Sequence, residues 1–229
     1  MKNFLLKIVQ IALVLFVFQN IISKLIAQDN LKVTDIDGNI YDIVSIGNQT
    51  WMKQNLKVTH YCNGDNIPNI IENETWYNLS TGAYCCYNND ESYSIIYGKL
   101  YNFYTVTDSR NLCPNGWHVP NNAEWNTLTT YLGGDNIAGG KLKEIGFTHW
   151  IRPNTSATNK TGFTALPAGN RYNGAIFYNM GEGGYWWSTT VNDEEESAWN
   201  FMLSNDYGGI YSGGEFNKKY GFSVRCMKD

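Results

Sequence analysis

The sequence predicts an α+β domain, mostly antiparallel β, with two short helices near its middle and long loops. Three observations carry that reading. From Leu31 onward, short β-branched and aromatic runs alternate with turns rich in Gly, Asn and Asp. The stretch GWHVPNNAEW (116–125) has the chemistry of a helix start. No repeat at periods of about 20–50 residues is visible, and no low-complexity linker divides residues 30–229.

The first 27 residues read as a segment apart. MKNFLLK carries two lysines, IVQIALVLFVF is apolar but for Gln10, and Ala27 stands before Gln28. A basic start, a short apolar middle and a small residue at the cut make a secretory signal peptide over residues 1–27. The charge-free run Ile8–Ser23 is 16 residues long and contains Gln10, Gln19 and Asn20. A span needs about 20 predominantly apolar residues, so a cleaved signal is expected over a membrane anchor. The mature chain, 28–229, is then secreted or displayed at the cell surface with no membrane span. Losing Lys2, Lys7 and Lys24 and no acid moves the formal charge from −4 to −7. That balance argues against nucleic acid as a partner, because phosphate contacts need clustered Lys and Arg.

Residues 31–58 read as a β-meander with turns at Asp37-Gly38 and Gly47-Asn48. DIDGN begins like a calcium loop, but Ile46 stands where an EF-hand needs its closing acid, so a hairpin turn is expected. Residues 60–95, rich in Asn, Tyr and Gly, read as a long loop with short strand pieces. YGKLYNFYTV (97–106) carries aromatics on more than one face and is expected to be buried as a short strand or helix. In the opening of the first helix, Asn121 caps and Glu124 completes a capping-box-like pair. Trp125, Leu128 and Leu132 form its inner face, and Gly133-Gly134 ends it. His118 reads as a surface or hydrogen-bonded core histidine, and Trp117 and Trp125 as scaffold. A second helix is expected over Ile137–Glu144, its glycines at 139 and 140 permitting close packing.

Strands return in GGYWWSTT, SAWNFMLS, GGIYSGG and YGFSVRCM. Period two puts Tyr185, Trp187 and Thr189 on one face of their strand and Trp186, Ser188 and Thr190 on the other. Between two of these strands, Asp193, Glu194 and Glu196 form a candidate calcium ligand set, against the plainer reading of a solvated hairpin loop. Calcium is the one cofactor this admits; otherwise none is expected. Of five cysteines at least one stays unpaired in a monomer. Connectivity does not follow from the sequence alone; Cys113–Cys226, joining the start of the helical region to the last strand, is preferred.

Eight segments in order across the mature chain carry a family resemblance: IGNQTWMKQNL, TGAYCCYNND, YGKLYNFYTV, LCPNGWHVPNNAEWNTL, AGGKLKE, ATNKTGFTALPAGNR, GGYWWSTT and YGFSVRCMKD. The chain resembles the Fibrobacter succinogenes major paralogous domain family, a large set of exported bacterial domains. That resemblance implies a single C-type-lectin-like domain related to formylglycine-generating enzymes, with its lectin-like core over about 95–229. The W-x-x-P-x-x-x-E-W segment from Trp117 to Trp125 carries the link. It also implies that Cys113 and Cys226 occupy the places of a bridge, while Cys62, out of pattern, would pair with Cys85 or Cys86.

The expected function is a non-catalytic binding or surface module recognising a glycan or a surface protein, with an envelope component as the alternative. Candidate binding residues are Trp186, Asn192, Asp193, Glu195, Tyr207 and Tyr211, since exposed aromatics and polar loops suit sugar rings or protein interfaces. Neither the E-P-N nor the Q-P-D triplet of calcium-dependent lectins occurs. An enzyme is not expected. His60, His118 and His149 are scattered, no G-x-S-x-G or H-E-x-x-H appears, and the paired late cysteines of the related oxidases are missing.

Overall fold

A computed structural model of the chain describes residues 32–172, 174, 176–191 and 196–229, with positions 212, 213 and 215 by backbone alone. The expected signal segment 1–27 and the loop residues Asn192, Asp193, Glu194 and Glu195 lie outside the described residues.

The meander forms as expected from strands β1 (Lys32–Thr34), β2 (Ile40–Ile46) and β3 (Gln49–Met52). Gly47-Asn48 makes the two-residue turn that pairs Ile46 with Gln49. DIDGN forms the expected turn, with Gly38 N–H donating to the Asp35 carbonyl at 3.1 Å. The Asp35 carboxylate accepts from the backbone N–H groups of Asp37 and Asn39, the Asn39 side chain and the Tyr41 hydroxyl. Those bonds use its lone pairs locally.

Residues 60–95 are more helical than a long loop with strand pieces. They hold α1 (Asn73–Tyr77), a 3-10 turn at Tyr87–Asn89 and α2 (Glu91–Tyr97), beside the short strand β4 (Tyr84–Cys85). The Asp90 side chain accepts from Ser92 N–H and caps α2, and Trp76 buries α1 by donating to the Lys219 carbonyl. Helices this short show no usable hydrophobic period, which is why the sequence hid them. YGKLYNFYTV divides into β5 (Leu100–Tyr101) and α3 (Phe103–Val106).

The first expected helix is α4 (Asn122–Tyr131), entered from β6 (Trp117–His118). Its capping box is complete: Asn121 Oδ1 accepts Glu124 N–H at 3.1 Å, and Glu124 Oε2 accepts Asn121 N–H at 2.8 Å. The second is α5 (Asp135–Leu142), two residues earlier than expected. Its glycines do permit close packing, for a Cβ at Gly139 would run into the Gly209 carbonyl and one at Gly140 into that of Ser156. The described residues thus carry five α-helices where two were expected.

The remaining strands are β7 (Ala168–Arg171), β8 (Phe177–Met180), β9 (Gly183–Val191), β10 (Ser197–Ser204), β11 (Tyr211–Asn217) and β12 (Met227–Lys228). One sheet runs β1-β2-β3-β12-β6 and a second β11-β10-β9-β7-β8, while β4 and β5 pair alone. Pairing is antiparallel except between β7 and β9. Residues 221–226 are the seam between the sheets. They bond to Met52 and Leu56 on one side, to Tyr185 and Trp187 on the other, and to Tyr101 and Arg171.

Because neighbours on β9 face opposite ways, Trp187 enters one hydrophobic cluster with Tyr41, Tyr101, Trp117 and Phe222, and Trp186 another with Trp51, Trp125, Phe163 and Phe201. The expected bridge is present: Cys113 and Cys226 are disulfide-bonded, both buried in the first cluster. Cys62 does not pair with Cys85 or Cys86, and all three are free thiols. Cys62 lies against the 111–113 segment, donating to the Cys113 carbonyl. Cys85 is sealed in a third cluster with Trp76, and Cys86 donates to Glu91.

His118 sits at the outer end of this scaffold. Its Nδ1 is 2.6 Å from Asp229 Oδ1 and its Nε2 2.9 Å from Glu124 Oε1. Burial lowers its pKa, but hydrogen bonds and charge from Asp229 and Glu124 outweigh that and leave it raised. A raised histidine pKa favours the folded state fully below the ordinary value near 6.5 and loses that contribution as pH climbs through the folded value. His118→Gln should therefore lower the melting temperature more at about pH 5.5 than at about pH 8.5. Equal shifts at both would mean that the imidazolium makes no use of the two carboxylates.

Candidate functional site

Strand β10 reads S-A-W-N-F-M-L-S, and between its terminal serines Asn200 is the one polar residue. Phe201 and Leu203 point into the cluster around Trp125. Asn200 and Met202 share the opposite row with Ala198. An asparagine at the centre of such a strand is disfavoured, having neither the β propensity nor the apolar surface the position rewards. The ladder is irregular on both sides of it. Asn200 is registered with Gly214 on β11 and with Trp187 on β9, with register shifts between Asn200 and Phe201 on the first side and between Ala198 and Asn200 on the second. Irregularities of this kind re-aim side chains.

Here they open a cavity of about 260 Å³ lined by Asn200, Met202, Tyr211, Gly214 and Phe216. Asn200 is only 3% exposed, yet neither Oδ1 nor Nδ2 has a hydrogen-bond partner. Gly214 lets the Phe216 ring lie against the strand: a Cβ there would strike that ring and lie 3.1 Å from Asn200 Oδ1. Tyr211, 49% exposed, forms the outer wall. Its ring packs against Tyr207 at 4.9 Å between centroids, and the Tyr207 hydroxyl is 3.0 Å from Asn136 Oδ1. The arrangement sets a buried amide without a partner beside an apolar, aromatic-walled recess.

The structure brings Tyr207 and Tyr211 together and sets Asn200, Met202, Gly214 and Phe216, which the sequence reading passed over, beside Tyr211. Their signal was the lone asparagine within SAWNFMLS. Trp186 is corrected. It is wholly buried, its Nε1 donates to Asn55 Oδ1 at 2.8 Å, and it offers no surface to a ligand. Its strand is covered on both faces, so exposure never reaches its ring. Glu196, the described member of the calcium set, accepts Lys218 N–H through its carbonyl and lies 3.3 Å from Asn217 Nδ2. Among the described residues, no group of three or more His, Cys, Asp or Glu could hold a metal ion. Asn121, Glu124, Trp117 and Trp125 serve the scaffold as expected.

Two further cavities are polar, and Arg110 in one and Lys141 in the other already have partners. One of about 410 Å³ is lined by Ser80, Thr81, Tyr104, Asp108 and Arg110, with Arg110 paired to Asp108 at 2.7 Å and Asp65 at 3.2 Å. The other, of about 320 Å³, holds Lys141, whose Nζ donates to the Leu132 carbonyl at 2.6 Å. The buried thiols of Cys85 and Cys86 are pushed up to about 12 and about 11, chiefly by burial, and stay protonated at neutral pH. His60 and His149 are tied to Asp37 and Glu144.

A family model described as the Fibrobacter succinogenes major domain matches residues 44–228. No curated protein and no solved structure matches the chain.

Proposed function

The chain belongs to the Fibrobacter succinogenes major domain family, and from that premise we propose that it is an exported, non-catalytic binding module of lectin-like fold. Its signal peptide, residues 1–27, delivers it to the cell surface or beyond. Its ligand, a glycan before a surface protein, seats in the recess under Tyr211. Family and fold leave the chemistry open, so the argument rests on the site. The observation that carries it is the Asn200 carboxamide, buried and without a partner, beside the exposed Tyr211 and the half-buried Tyr207 packed on it. A buried amide left unsatisfied costs about 1–3 kcal/mol, and a fold keeps such a cost where something else satisfies the group.

No cofactor is needed for this reading, because a neutral amide supplies both polar contacts. Calcium at Asp193, Glu194 and Glu196 is the alternative, and a chelator separates the two. A glycan array probed with the full chain, with calcium and again with chelator, should show binding in both conditions. Loss on chelation would move the site to the acidic loop, and silence in both would favour a protein ligand.

Asn200→Leu makes the complementary prediction. It should raise the melting temperature by a few degrees, from a gain of about 1–3 kcal/mol, while abolishing array binding. A variant that melts at or below the native temperature would show that water alone satisfies Asn200, and the reading would fall.

A further inference from the structure

We propose that the cavity between the β2–β3 turn and the C-terminal ends of α4 and α5 is a second site, which takes a phosphate monoester between Lys141 and Lys160. Its lining shares no residue with the recess under Tyr211, so neither assignment rests on the other.

The lining decides the sign of the ligand's charge. In this cavity of about 320 Å³ the charged residues are Lys141 and Lys160, and no Asp or Glu joins them. All its walls fall within residues 45–161, a stretch described throughout. Among the described residues neither lysine is in an ion pair. Two unneutralised cations in one cavity stand out in a chain whose formal charge is −4. They favour an anion.

Helix geometry explains only one of the two. Lys141 lies in the last turn of α5, and its Nζ donates to the Leu132 carbonyl at the C-terminal end of α4, where a cation is favoured. Lys160 is exposed and has no hydrogen bond among the described residues, yet its backbone is pinned. Asn159 Oδ1 accepts Thr164 N–H at 2.9 Å and Asn159 Nδ2 donates to Thr164 Oγ1 at 3.0 Å, closing the turn around it. Thr161 then clamps that turn to the end of α5, its N–H and Oγ1 donating to the Lys141 carbonyl at 3.3 and 2.9 Å. Both lysines therefore enter the cavity from fixed backbone, which lowers the ordering cost of binding.

The donors decide the class. An ammonium carries three N–H groups; after the bond to Leu132, two remain on Lys141, and Lys160 has all three. No arginine lines the cavity to offer the planar fork that suits a carboxylate, and lysine serves phosphate as a point charge. A phosphate monoester brings three strong acceptor oxygens and about −1.5 to −2 charges at neutral pH, matching two ammoniums. Tyr131, 65% exposed, forms the rim for the ester's organic body. Its ring lies so close to Gly47 that a Cβ there would be 3.0 Å from Cδ2.

The test titrates the ¹⁵N-labelled full chain with phenyl phosphate, and with phenyl sulfate as its singly charged match, following backbone amides by NMR. Phenyl phosphate should give saturable shifts at residues 45–48, 131–134 and 159–162, with phenyl sulfate about tenfold weaker. Lys160→Gln changes an exposed side chain and should melt with the native chain. It should weaken phenyl phosphate about ten- to a hundredfold, whereas Asn200→Leu should leave that affinity unaltered. Sedimentation with phosphatidylcholine vesicles holding phosphatidic acid, against vesicles of equal charge holding phosphatidylglycerol, identifies the source. Preference for phosphatidic acid places the monoester on a membrane lipid, and equal sedimentation places it on a soluble molecule. No saturable shift with phenyl phosphate, equal affinity for phenyl sulfate, or undiminished binding by Lys160→Gln would overturn the site. None of these results touches the recess under Tyr211, which the array and the Asn200→Leu melt test by themselves.

Discussion

Cys113→Ser, purified without reductant, should melt about 10 °C or more below the native protein. The bridge closes a sequence separation of 113 residues, and in the chain-entropy model a loop of that length stabilises by about 4–5 kcal/mol. For a chain of this size each kcal/mol moves the melting temperature by about 2–4 °C. Position reinforces the effect. Cys113 precedes β6 and the capped entry to α4, and Cys226 ends the seam that joins the two sheets. Both sulfurs are buried among Trp117, Val119 and Val224, so removing the bond also leaves polar thiol or hydroxyl groups in an apolar cluster. Cys62→Ser is the control, since that thiol is free and only donates to the Cys113 carbonyl. Calorimetry of the native, Cys113→Ser and Cys62→Ser chains, with and without reductant, separates the cases. If reductant lowers the melt of Cys113→Ser as far as it lowers the native one, the bridge is not what holds the seam.

The same contrast runs through what the sequence made legible. Signals confined to a few neighbouring residues transferred well. The turn at Gly47-Asn48, the Asn121–Glu124 capping box and the opposed faces of Trp186 and Trp187 all follow from local period and side-chain reach. Groups whose partners lie far along the chain were misread or missed. Trp186, expected among the exposed binding residues, has its place set by Asn55, 131 residues earlier. His118 looked isolated until the end of the chain brought Asp229 to it. Asn200 was invisible for the opposite reason: it has no partner, and an absent bond leaves no trace in sequence beyond an oddly placed polar residue. Two basic residues of the family motifs behave alike. Lys143 and Arg171 are wholly buried, the first donating to the Ser204 and Tyr207 carbonyls and the second to those of Ile70 and Ile71. These two therefore mark scaffold rather than a charged site.

Arg225 is the extreme of that group, and Asn55→Ala should destabilise the protein by about 3–5 kcal/mol through it. Arg225 is 1% exposed, and among the described residues no carboxylate pairs with it. Asn55 Oδ1 accepts from its Nε at 3.2 Å and its Nη2 at 2.7 Å, and the Phe163 carbonyl accepts from Nη1. The guanidinium also lies over the Phe163 ring at 4.2 Å. Burial pulls its pKa down to about 9, so at neutral pH the group is still a cation and needs these neutral acceptors. The same Oδ1 takes the Trp186 indole N–H, while Asn55 Nδ2 donates to the Tyr97 carbonyl at 2.8 Å. One amide thus joins β3's exit, the end of α2, β9 and the seam. Truncating it strands a buried charge with a single acceptor, which costs far more than the bonds themselves. Arg225→Met removes the charge along with its need, so the double variant Asn55→Ala/Arg225→Met should lose less than the two single losses added together, by about 0.5–3 kcal/mol. Denaturant melts of the four chains measure that coupling directly. Additive losses would mean that Asn55 stabilises through Trp186, the Tyr97 carbonyl and the Ser223 hydroxyl alone, and that the aromatic rings by themselves are enough to keep a guanidinium out of water.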